Sequence, residues 1–436
     1  MLRTRLIANR FFAVDRRRFM AGFGTAGVTA ILSRGSAAQA PRTLTLEAKP
    51  SSISLRPSEA PTPIWGLESS AAPLRLKPGQ VEVTFRNGLP VPAALDWRGI
   101  DGAPAAEPLT ARPPVPPGAE VTFPLPLRRA GTYFVDLRPL AAANTLPCRP
   151  LAFIVEDSVP LVVDREQTIL IEDWRDELAA SHPEPGDPPS SFTINGKILP
   201  DIAIRSGDRL RLRFINGNQQ QVIAVRIEGL EVRVMAMDSA PAEPFPARNS
   251  AVVLAPGGRV DALIDATTPP GGAAQILLHD GRQARPVARL VASGETPIRS
   301  TPLPLAPALP AESLPAQLDL KSAIRLDLAL QGGWAAPADF SAAQAPAFRL
   351  KAGRTVVLAL NNRGEPATSF HLHGHHFRLL DRLDDGWKPF WLDTLVVEPG
   401  QTQRIAFAAT FPGHWLIEST ATRPAAPRLI RWYGVD

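Results

Sequence analysis

Apolar and polar positions alternate along much of the chain, and one alternating phrase occurs three times. Lys77-Pro78-Gly79 leads into Val81, Val83 and Phe85 and stops at Asn87. Arg205-Ser206-Gly207 leads into Leu210, Leu212 and Phe214 and stops at Asn216. Lys351-Ala352-Gly353 leads into Val356, Leu358 and Leu360 and stops at Asn361-Asn362. A turn followed by apolar residues at period two predicts a half-buried strand. A second phrase follows each copy: Pro117-Gly118 before Val121 and Phe123, Pro256-Gly257 before Val260, Leu263 and Ile264, and Pro399-Gly400 before Ile405 and Phe407. Copies one and three also share Gly131-Thr132-Tyr133 and Gly413-His414-Trp415. A repeat of roughly 130 to 145 residues suits a β-sandwich of moderate size. The pattern predicts an all-β chain with units at 41–157, 158–292 and 318–436. Residues 293–317, rich in Pro, Ala, Ser and Thr, form an extended surface linker.

Composition agrees with that reading. The 47 prolines and 31 glycines are spread along the chain and disfavour long helices. A short helix signal is confined to residues 173–180. One cysteine, Cys148, excludes an intramolecular disulfide, so stability must come from packing.

The first residues read as an export leader rather than as structure. Asp15-Arg16-Arg17-Arg18-Phe19-Met20 is a twin-arginine stretch ahead of a weakly apolar segment from Ala21 to Ser33, too short to span a membrane. Small residues at Ser36-Ala37-Ala38 suit cleavage after Ala38, which gives a 1–38 twin-arginine (Tat) signal and a periplasmic address. Residues 1–38 carry seven of the 47 basic residues and one of the 42 acidic ones, leaving 40 against 41. A near-neutral mature chain has no electrostatic reason to bind nucleic acid or anionic lipid.

Three further phrases carry a resemblance: Ile171-Glu172-Asp173-Trp174, Leu392-Asp393-Thr394, and Ser369-Phe370-His371-Leu372-His373-Gly374-His375. With the threefold pattern, they make the mature chain resemble the multicopper oxidases, which implies three cupredoxin-like Greek-key domains in that family's arrangement. In the family, four motifs supply ten histidines and one cysteine to a blue type 1 copper and a trinuclear cluster. Imidazole and thiolate suit copper. This chain has seven histidines, so the resemblance cannot carry the full ligand set.

The departures follow the motifs. The first appears as Asp96-Trp97-Arg98-Gly99 and the second as Asp136-Leu137-Arg138. In the third, Thr368 takes the type 1 histidine position while His371 and His373 keep the type 2 and type 3 positions. The fourth appears as Glu418-Ser419-Thr420, and the next type 1 histidine falls near Pro424. Asp-x-Arg on a strand places both charges on one face. Asp96, Arg98, Asp136, Arg138, His371, His373 and Glu418 are therefore expected to converge between the first and third units; separate surface charges are the alternative. His375, His376 and His414 are read as structural or solvated, and His182 and His279 carry no signal.

Two functions stay open. The first is a non-catalytic periplasmic protein without a cofactor. It resembles the family's copper-free, Tat-exported branch that supports the cell-division machinery and shares a phrase like Gly386-Trp387-Lys388. That likeness implies a periplasmic protein partner. The second is a residual copper-binding oxidoreductase, with His371, His373 and Asp96 or Asp136 as ligands. Arg98 and Arg138 would oppose a cation there.

Overall fold

The computed structural model describes residues 42–55, 60–69, 74–140, 146–174, 191–218, 220–364, 366–381, 386–423 and 426–436. The leader, all of the helix signal beyond Trp174, His182 and Pro424 lie outside these. Asp173 and Trp174 themselves close a strand.

The first unit holds β1 (Arg42–Ile53), β2 (Thr62–Ser69), β3 (Arg75–Leu76), β4 (Gly79–Asn87), β5 (Ala93–Arg98), β6 (Glu120–Leu127), β7 (Gly131–Pro139) and β8 (Leu151–Val155). They form two sheets, ordered β2-β1-β4-β6 and β3-β8-β7-β5.

The second unit begins with β9 (Arg165–Trp174), β10 (Ser191–Ile194), β11 (Asp201–Ile204), β12 (Arg209–Asn216), β13 (Ile223–Ile227) and β14 (Arg233–Met237). It continues with β15 (Ala240–Pro246), β16 (Ala251–Leu254), β17 (Arg259–Asp265), β18 (Ala273–His279) and β19 (Ala284–Ala292). Its sheets run β10-β9-β12-β17-β14-β15 and β11-β19-β18-β13-β16.

The third unit begins with β20 (Ile324–Ala329), β21 (Arg349–Leu350), β22 (Thr355–Asn361), β23 (Thr368–Leu372) and β24 (Phe377–Leu380). It ends with β25 (Trp387–Leu392), β26 (Thr394–Val397), β27 (Thr402–Ala408), β28 (Gly413–Ala421) and β29 (Arg428–Val435). Its sheets run β20-β22-β27-β24-β25 and β21-β29-β28-β23-β26.

The repeated phrases occupy the same place in every unit. The first phrase is β4, β12 and β22; each pairs in parallel with its unit's opening strand and antiparallel with the second phrase, in β6, β17 and β27. Their apolar rows (Val81, Val83, Phe85; Leu210, Leu212, Phe214; Val356, Leu358, Leu360) fill three separate cores. The terminal asparagine of each phrase is buried and staples the following loop. Asn87 Nδ2 donates to Val91 and Val115 carbonyls, Asn216 Nδ2 to Gln221 and Leu254, and Asn362 Nδ2 to Pro366 and Val397. In the third copy the equivalent residue is Asn362, not Asn361.

One expectation fails in β12, which is buried on both faces rather than half-buried. Its second row, Arg209, Arg211 and Arg213, faces carboxylates instead of water. Arg211 Nη2 and Arg213 Nη1 lie 2.8 and 2.6 Å from Asp261 Oδ2, Arg213 Nη2 is 2.9 Å from Glu166 Oε2, and Arg209 Nε is 2.6 Å from Asp265 Oδ1. Arg213 also donates to Thr132 Oγ1 of the first unit at 2.8 Å. The face is buried because the first unit covers it at Arg211 and Arg213 and residues 303 and 304 cover it at Arg209, and pairing makes the burial of charge tolerable.

Candidate functional site

Strands β5 and β7 are neighbours in antiparallel register with Asp96 opposite Asp136. Leu95, Trp97, Val135 and Leu137 fill the core of the first unit, which turns Asp96, Arg98, Asp136 and Arg138 to the other face. From the third unit, β23 and β28 pair with His371 opposite Glu418. The two faces meet, and every one of these groups is buried: Asp96 is 0% exposed, Asp136 1%, Glu418 3% and His373 4%. They are not surface charges.

Two guanidinium groups sit between two carboxylates. Arg98 Nη2 lies 2.9 Å from Asp96 Oδ2 and 2.5 Å from Glu418 Oε2, while Arg138 Nη2 lies 2.6 Å from Asp96 Oδ2 and also donates to Glu418 Oε1. Asp136 pairs with Arg428 of β29, 2.5 Å away, whose Nη1 is also 3.5 Å from Asp96. Arg428 thereby offsets the repulsion of two carboxylates placed directly across a strand pair.

His373 has a carboxylate on each side. Its Nδ1 is 2.9 Å from Glu107 Oε1, and its Nε2 faces Glu418 Oε1 at 3.4 Å. Glu107, from a loop of the first unit, also accepts the Leu416 backbone N–H at 2.9 Å and so caps the third unit. Burial opposes charge on this imidazole, but Glu107 and Asp96 overcome it and raise its pKa to about 10. Burial likewise opposes the Glu418 carboxylate, yet Arg138, Arg98 and Arg428 hold it ionised well below the usual range. Arg98, Arg138, Arg428 and the His373 ring thus face four carboxyl groups, those of Asp96, Asp136, Glu418 and Glu107.

His371 differs. Burial, then the Arg98 guanidinium, lowers its pKa to about 4, so it is neutral. Its Nδ1 bonds the Asp393 carbonyl and Thr394 Oγ1 at 3.0 and 2.9 Å. A cavity of about 20 Å³, lined by Arg98, Asp136, His371, Glu418 and Arg428, has room for a water molecule beside it.

Thr368 and Ser419 lie on the other side of the same sheet, toward the interior of the third unit: Phe370 is opposite Ser419 and Thr368 opposite Ala421. Ser419 Oγ donates to the Leu330 carbonyl at 2.9 Å, and Thr368 Oγ1 to Pro366 at 3.4 Å. Thr420 is buried opposite Ser369, on the junction side. Cys148 is distant in the fold, bridged to Trp65 of the first unit.

A second charged cluster joins all three units, and the sequence reading did not anticipate it. Asp238 and Ser239 form the β14–β15 turn with φ of 45° and 65°. Asp238 accepts backbone N–H bonds from Arg259, Asp393 and Thr394 at 3.0, 3.2 and 3.3 Å, and Arg259 grips Asp393 at 2.5 and 3.1 Å. His376 links Asp101 of the first unit to the Asp238 carbonyl of the second, at 2.7 and 2.6 Å. Arg129 reaches Asp101 at 3.0 Å. Gly99, at φ +94°, leaves space for the turn: a Cβ there would lie 2.4 Å from Ser239 Oγ.

The remaining histidines among the described residues play structural or surface parts. His375 Nε2 accepts from the Phe411 N–H, so its Nδ1 donates to Tyr433 Oη, which donates to the His373 carbonyl. His414 is exposed and rests on Trp432, and His279 accepts from the Gly281 N–H.

Three two-sheet units, with the third closing on the first, define a three-domain cupredoxin protein. Models described as multicopper oxidase match residues 165–273 and 312–424, together about half of the sequence, and the chain belongs to the multicopper oxidase family. Multicopper oxidase MmcO of Mycobacterium tuberculosis is 24% identical over 466 residues, covering 90% of this chain and 88% of that protein. Laccase-3 of Thanatephorus cucumeris is 27% identical over 207 residues, 41% of this chain and 35% of its own. A solved multicopper oxidase from Pseudomonas thermotolerans aligns with a TM-score of 0.75 at 24% identity, covering 91% of this chain and 99% of that one. Lac15, from a marine microbial metagenome, aligns at 0.72 and 26%, covering 91% and 100%.

Proposed function

We propose that this chain is a non-catalytic member of the family, in which a salt-bridged network takes the place of the copper cluster. The observation that carries the reading is the position of Arg98 and Arg138 between Asp96 and Glu418, with Arg98 2.9 and 2.5 Å from the two carboxylates and Arg138 2.6 Å from Asp96. A copper ion in that space would displace two cations. His373, protonated against Glu107, has no lone pair to offer, and at the type 1 position Ser419 supplies a hydroxyl already bound to Leu330 rather than a thiolate. The donor set does not suit copper.

On this reading the protein is a structural or interaction component of the periplasm. The resemblance to the copper-free, Tat-exported branch supports a role with the division machinery or the envelope. Export is tested by Arg16→Lys with Arg17→Lys, which should strand folded precursor in the cytoplasm; normal periplasmic accumulation would contradict it.

A residual copper-binding oxidoreductase is the second reading. It is favoured by Asp96, His373 and Glu418, which offer ligand atoms within 4.8 Å of one another. His371 is not in that trio, where Glu418 stands with His373 and Asp96. Metal analysis after exposure to copper separates the two readings. The network reading expects no stoichiometric copper, no blue absorption and no oxidation of phenols or diamines, and it expects Ser419→Cys alone to change none of these. Copper bound one-to-one with turnover would overturn it.

A further inference from the structure

Two connectors cross the outer face of the second unit side by side. Asp164 pairs with Arg299 at 2.6 and 2.7 Å, and Ser158 Oγ lies 3.4 Å from Glu312 Oε1, so residues 158–164 and 299–312 run antiparallel. Between these ties the second connector reads Pro302-Leu303-Pro304-Leu305-Ala306-Pro307-Ala308-Leu309-Pro310 and belongs to no helix or strand. Its burial has a period of three: Leu303 and Ala306 are half-buried, Leu309 is buried, and the residues between them are exposed. Three residues per turn is the period of a polyproline II helix.

The inner row of that segment is fixed. Leu309 and Ala306 pack with Met235, Ala236 and Leu263, and Arg209 donates to the carbonyls of Leu303 and Pro304 at 3.0 and 2.7 Å. The same period lines up Pro304, Pro307 and Pro310 on an exposed row. Beside it are Leu305, Val162 and Val159, 73%, 72% and 66% exposed, the three most exposed large apolar side chains among the described residues. Apolar side chains grouped in this way mark a contact surface.

We propose that this row docks into an aromatic-lined groove of a partner protein that reads polyproline helices. Prolines three apart leave notches that aromatic rings fill, and a helix already held on one side has little ordering entropy left to lose on binding. The proposal deepens the non-catalytic reading by naming a partner chemistry. It fails separately from that reading, because copper loading of the same preparation is measured independently.

The test uses the full chain, titrated into ¹⁵N-labelled SH3 and WW domains as groove probes. Shifts should be confined to the aromatic groove residues of at least one probe. Leu305→Glu should weaken binding at least fivefold, and Pro304→Ala, Pro307→Ala and Pro310→Ala combined should abolish it. Leu305 is exposed, so Leu305→Glu should melt like the parent and keeps the test valid if the proline variant unfolds. No groove shifts at millimolar chain, or equal shifts with Leu305→Glu, would overturn the proposal. So would self-association that Leu305→Glu removes, which would seat a second copy there.

Discussion

His373 shows how far its surroundings carry one imidazole from its ordinary titration range. In the folded chain it keeps its proton up to about pH 10, whereas an unfolded histidine loses it near 6.5. A group whose pKa is raised on folding stabilises fully below the unfolded value, and that stabilisation drains away as pH rises toward the folded one. The window is therefore pH 6.5 to 10, with stability falling as pH rises. His373→Gln keeps a donor toward Glu107 but has no proton to lose, so its melting temperature should fall less than the parent's between pH 6 and pH 9. Equal slopes for the two proteins would mean that the ring is neutral in the fold. His371, only 4.7 Å away between ring centroids, is held neutral by burial and by Arg98.

The strands show which parts of this arrangement a sequence can disclose. The rows of β4, β12 and β22 were legible because a core on one side enforces period two, and Asp-x-Arg was legible because the same period puts both charges on one face. Local pattern was silent on what covers the other side. The arginines of β12 looked solvated because the carboxylates that pair with them come partly from other strands and connectors. Glu107 sits in a loop and Arg428 in a strand with no charge alternation, so neither had a periodic signal. Asp101, His376, Asp238 and Arg259 meet only because three units converge. The exposed-charge alternative for β5 and β7 also sets a measurable contrast. Arg98→Ala leaves Asp96 and Glu418 one guanidinium short in a buried site, and loss of a buried partner typically costs about 3–5 kcal/mol. Asp96→Ala combined with Arg98→Ala should cost less than the two single losses together, because partners in one network are not additive. Additive losses under about 1 kcal/mol each, measured by chemical denaturation, are what solvated pairs would produce.

At the level of the assembled chain, each contact between units contains an ion pair. Arg211 pairs with Asp157 of the first unit and Arg213 donates to Thr132 there, Arg259 with Asp393 joins the second and third units, and Arg98 and Arg138 with Glu418 join the first and third. Each unit thus presents charged groups with part of their complement on another, and a unit standing alone would lose those partners. A junction held by coordinated metal is finished only after an ion has been delivered, and it can be emptied again by a chelator or a shortage. The guanidinium and carboxylate groups between β5, β7 and β28 are carried by the polypeptide itself. That junction is complete once the chain has folded, and on the proposed network reading it stays closed whether the cell is starved of copper or flooded with it.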